Sequence, residues 1–127
     1  MIQKFLQTYK EAFGNAVPLP VTFGYSHIPV TEINKIPRCM IGTIRKVCEG
    51  DSLTLSADNV LCGGGSLYTA FAIMQERLPK FVSETEHYKQ TPEQIKKYIH
   101  RLDIHLTDKP YLNFVRMDKL SSLDEVE

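Results

Sequence analysis

Hydrophobic positions along this chain change their period several times, and each change marks an element. Ile2, Phe5, Leu6, Tyr9, Ala12 and Phe13 fall on one stripe with Lys4, Gln7, Lys10 and Glu11 elsewhere, which predicts an N-terminal helix stopped by Gly14 and Asn15. The β-branched and aromatic stretch Val17–Tyr25 carries Pro18 and Pro20, which cannot donate to a ladder, so it predicts a strand starting near Leu19, either at a sheet edge or paired only past Pro20. Ser26 to Pro37 has no sustained period and two further prolines, and reads as a connecting loop long enough to carry function. Met40, Ile41, Ile44 and Val47 then predict a helix over 38–49, closed by Gly50, and 51–56 predicts a short strand followed by a polar turn at Asp58-Asn59.

Beyond Val60 the stripe Leu67, Ala70, Phe71, Met74 and Leu78 predicts a second internal helix ended by Pro79. Thr91-Pro92-Glu93-Gln94 is a helix start with an N-cap, a proline at the first helical position and a capping-box glutamine. That helix should reach Leu102 with Ile95, Tyr98, Ile99 and Leu102 inward. Asp108-Lys109-Pro110 is a turn and Tyr111–Met117 has strand composition, while the acidic tail from Ser121 to Glu127 shows no partner within the chain. Helix and strand alternate, so the expected class is α/β or α+β, a small mixed sheet with helices packed on it, as one domain over 1–127. The pattern leaves the strand order open.

The chain has 127 residues, 43% of them hydrophobic, and 15 basic side chains against 15 acidic ones. A core of that size needs no disulfide framework to fold. Zero net charge argues against a nucleic-acid binder held by a global basic field. The longest apolar run, such as Ala70–Met74, is far short of the roughly 20 residues that span a bilayer. Three cysteines, an odd count, and the lack of a signal-peptide core favour a reduced, cytoplasmic protein.

The chemistry concentrates at Cys62-Gly63-Gly64-Gly65-Ser66, between an expected strand and an expected helix. Three successive glycines cost more backbone entropy than a turn requires, which suggests that something approaches the backbone. Free N–H groups at a helix start can hold an anion and lower the pKa of a neighbouring thiol, making Cys62 the first candidate for a reactive thiolate. The bland alternative is close helix packing with Cys62 as a small buried hydrophobe. Arg38-Cys39, where a loop enters a helix, repeats the arrangement of a thiol beside a helix start. Cys39 and Cys62 could share a ligand or a redox step, but the spacing matches no zinc pattern and no metal site is assigned. His100, Asp103 and His105 would not face one metal on a continuous helix and read as solvated, as does Arg45. Cys48, His27 and His87 carry no signal. No nucleophile elbow, Walker A motif or dinucleotide fingerprint appears, so no reaction class or cofactor follows from motifs.

Ile36-Pro37-Arg38-Cys39, a helix ending in Glu49-Gly50, the strand Leu53-Thr54-Leu55 and then Cys62-Gly63-Gly64-Gly65 resemble an uncharacterised bacterial and archaeal family sometimes called the archaeal cysteine-rich family. The resemblance covers roughly 17–71 and implies that Cys39, Cys62 and the three glycines belong to a shared site. Family members run longer, so by resemblance this chain corresponds to their N-terminal part, and an edge left by missing strands would favour a homo-oligomer.

The residues thus rank three functions. First is small-molecule or cofactor binding at the glycine-rich helix start, with Arg38, Gly63, Gly64, Gly65 and Ser66 holding a small anion beside Cys62 and Cys39. A noncatalytic interaction module comes second, and a thiol-redox or metal-cluster protein third. No partner nucleic acid or membrane is expected.

Overall fold

The computed structural model describes residues 1–33, 40–60, 64–65, 69–71, 77–87 and 90–126. In chain order they form α1 (Ile2–Phe13), β1 (Val21–Ser26), α2 (Met40–Glu49), β2 (Ser52–Ser56), the short α3 (Arg77–Lys80) continued by a π-helical turn (Phe81–Thr85), α4 (Pro92–Arg101) and β3 (Tyr111–Arg116). Two 3₁₀ turns, Met117–Lys119 and Leu123–Val126, follow. This is an α+β arrangement, and its three strands pair antiparallel throughout in the order β1-β3-β2.

The strand nearest the C-terminus is therefore the middle of the sheet. Leu112, Asn113, Phe114 and Val115 are all buried because both faces of β3 are covered. Leu112 and Phe114 pack on one face with Leu55, Val60, Phe71 and Val47 of α2. Val115 packs on the other with Ile2 and Leu6 of α1 and with Leu120. Val21 sits opposite Arg116 and Ser26 opposite Tyr111, while Ser52 sits opposite Val115. No described helix is long and apolar enough to cross a membrane.

Local signals placed several elements closely. β1 starts at Val21, past both prolines, and among the described strands it lies at the sheet edge. α4 carries the full capping box: the Thr91 hydroxyl accepts from the Gln94 N–H and the Gln94 carboxamide accepts from the Thr91 N–H.

Elsewhere tertiary context overrode the pattern. The stripe expected to run as one helix from Leu67 to Leu78 is broken at Ala70, which takes φ 57°. The break turns Phe71 into the core edge-on to Tyr25, with ring centroids 6.2 Å apart. Pro79 does not end a helix: α3 runs past it to Lys80 and on into the π-helical turn. On α1 only Ile2 and Leu6 are buried; Phe5 and Phe13 are 49% and 54% exposed and flank Tyr9 in an outward aromatic row. Similarly, Ile95 is the buried residue of α4 while Tyr98 is exposed. The tail also finds a place within the chain, because the Leu123–Val126 turn rests against β1.

Candidate functional site

Val60 and Thr69 are both buried and bracket the glycine-rich segment. Gly64 and Gly65 are helical, and the Thr69 N–H and hydroxyl both donate to the Gly65 carbonyl, at 2.9 and 2.8 Å. The Thr69 carbonyl in turn accepts from the Tyr25 hydroxyl at 2.7 Å, which ties this turn to β1. Burial pushes the Tyr25 phenol above its ordinary pKa, so it stays a proton donor. The Thr107 N–H donates to the Ala70 carbonyl at 3.0 Å and adds a second tie.

Against this anchored base Gly64 faces outward. It is exposed, its φ is not left-handed, and among the described residues a Cβ built on it would meet nothing within 4 Å. The same holds for Gly42 in the first turn of α2, three residues after Cys39. Among the described residues nothing packs where either side chain would stand, and neither φ requires glycine, although each costs its helical turn up to about 1 kcal/mol relative to alanine.

Of the residues expected to form the site, Gly64 and Gly65 are those the structure describes; Arg38, Cys39, Cys62, Gly63 and Ser66 lie outside the described residues. Cys48 is a partly buried free thiol on α2. Arg45 belongs to a solvated helix face, paired with Glu49 at 3.5 Å. The α4 helix ends between His100 and His105, and His105 lies 3.6 Å from Asp103 on the exposed surface. Among the described residues no three His, Cys, Asp or Glu side chains converge to hold a metal.

Two polar constellations escaped sequence reasoning. On the α1 side of the sheet, the buried Asn113 amide donates to the Ile28 carbonyl at 2.8 Å and accepts from the Thr54 hydroxyl at 2.8 Å and the Val30 N–H at 3.3 Å. Thr54 Oγ1 also accepts from the N–H groups of Val30 and Thr31, at 3.0 and 3.1 Å. Together they strap the 27–31 loop across the sheet. The one available signal was an asparagine embedded in Leu112-Asn113-Phe114-Val115.

The second constellation closes α2. Arg116 makes a two-pronged pair with Asp118, at 2.7 and 3.0 Å, and its Nη1 donates to the Cys48 carbonyl at 3.2 Å, placing a cation at the helix C-terminus. The hydrogen bond from Arg116 holds the Asp118 carboxyl below its usual range. Such a group stabilises the fold above the ordinary carboxylate pKa and loses that contribution as pH falls through its depressed value. Unfolding free energies of the parent and Asp118→Asn from urea titration should therefore differ by about 1 kcal/mol near neutrality and converge in acid. A difference constant down to low pH would refute this.

Compared with family models, curated proteins and solved structures, the chain matches none of them.

Proposed function

We propose that this protein binds a small anionic molecule at the glycine-rich turn of residues 62–66, with Cys62 beside it as a thiolate and Cys39 and Arg38 as companion groups at the start of α2. The observation that carries the reading is Gly64: a helical, exposed glycine with no described residue where a side chain would stand, on a turn fixed from behind by Gly65, Thr69 and Tyr25. A packing role would instead fill that space. The absence of a side chain leaves backbone N–H groups approachable, which is what an anion requires. Gly42 extends the argument, because each candidate cysteine is followed within three residues by a helical glycine that packing does not require. The resemblance to the cysteine-rich family points to the same residues. A reduced intracellular setting would keep Cys39 and Cys62 as thiols.

Gly64→Ala separates the two roles. It should leave stability unchanged or raise it by up to about 1 kcal/mol. It should also shrink the increase in Tm that inorganic phosphate produces in the parent, and Cys62→Ser should shrink it as well. A destabilised Gly64→Ala variant would make the glycine structural, and a phosphate response that is equal in all three proteins, or zero in all, would sink the binding reading.

A further inference from the structure

On α4 we infer a binding site for a short chain of linked phosphates, one that does not rest on the glycine-rich turn. An open groove of about 580 Å³ lies where α3 packs against this helix, within the roughly 300–1,000 Å³ of small-molecule sites. Pro79 is buried and Ile99 half-buried, and the two give the groove an apolar base. Around them stand the exposed Lys96, Lys97, His100 and Arg101. Of the described residues that line the groove Glu93 alone is acidic, and it stands at the N-terminal end.

These cations have no carboxylate to neutralise them. Arg45 with Glu49 and Lys80 with Glu84 both close an ion pair at the i, i+4 spacing, whereas Glu93 and Lys97 share that spacing and form none. Lys96 and Arg101 likewise meet no carboxylate among the described residues. The helix dipole accounts for cations in the last turn, as with His100 and Arg101, but not for Lys96 and Lys97 in the middle of the helix.

Spacing selects the ligand. Lys97 and Arg101, like Lys96 and His100, are one helical turn apart, so all four groups start within a rise of about 7.5 Å. An extended acidic peptide brings successive side chains to one face only about every 7 Å, too sparsely for so short a patch. Linked phosphates concentrate several charges there, and the arginine fork matches their oxygens. The apolar base removes water from one side of each pair, which strengthens it. A nucleic-acid backbone needs a longer basic surface, and Glu93 bounds this one.

Titration with inorganic tripolyphosphate at constant ionic strength, followed by backbone amide shifts, tests the assignment. The parent should saturate with its shifts centred on residues 96–101, and sulfate at the same ionic strength should not reproduce them. Lys97→Gln and Arg101→Gln, both at exposed positions, should keep the melting temperature and each weaken binding roughly fivefold. Gly64→Ala should bind as the parent does, which separates this site from the glycine-rich turn. A parent that does not saturate, shifts confined to the surroundings of Gly64, affinities unchanged in both charge variants, or a sulfate response equal to that of tripolyphosphate would each overturn the proposal.

Discussion

Exchanging Asn113 for alanine should destabilise the fold by about 3 kcal/mol or more. The side chain is fully buried and joins three partners: the Ile28 carbonyl, the buried Thr54 hydroxyl and the Val30 N–H. Removing it leaves a carbonyl without a donor and a hydroxyl without an acceptor, each costing about 1–3 kcal/mol when buried, and opens a cavity in the middle strand. Urea unfolding should show a lower midpoint with an unchanged slope, since the same surface is exposed on unfolding. Amide exchange at Val30 and Thr31 should accelerate beyond the global effect, because their strap to the sheet is loosened. A loss under about 1 kcal/mol would mean that the loop is held by something other than this network.

The second large effect is expected at Gly50. It takes φ 116°, where β-branched residues are strongly disfavoured, and a Cβ there would lie 3.3 Å from both terminal nitrogens of Arg116. Its N–H donates to the Val47 carbonyl and that of Asp51 to the Lys46 carbonyl, both at 3.0 Å, the paired bonds of a Schellman ending. Gly50→Val should cost about 3 kcal/mol, combining backbone strain with displacement of the guanidinium from the Cys48 carbonyl. The two parts separate in an Arg116→Ala background, where the guanidinium clash vanishes and the strain remains. Equal costs in both backgrounds would show that Arg116 yields freely.

How legible these features were in the sequence depends on the range of the interactions that make them. Thr91-Pro92-Glu93-Gln94 specifies its own helix start through bonds between neighbours, and Pro18 and Pro20 hold back the start of β1 to Val21 by chemistry that needs no partner. Gly50 was recognisable as a helix stop, but not as the seat of a guanidinium from a strand 66 residues later. The burial of Asn113 depends on a loop from residues 27–31, and the break at Ala70 on the place Phe71 finds beside Tyr25. Phe5 and Phe13 followed the helical period yet lie on the solvent side of α1, since period fixes a stripe without fixing how much of it meets the sheet. The glycine run was legible as an anomaly. What Gly64 adds is the lack of a packing reason for it.

The position of β3 sets an order on how this molecule can be built. β1 and β2 never touch as neighbours in the sheet; each bonds only to a strand that begins at Tyr111, so Val21 waits for a partner 95 residues downstream. During synthesis both strands emerge well before the segment that pairs them, and no hairpin is available to either. Pairings closed over such distances are slow, so folding should take milliseconds to seconds rather than the microseconds of helical bundles. A nascent chain shorter than about 110 residues presents two orphan strands at once, and chaperone dependence would concentrate in that interval.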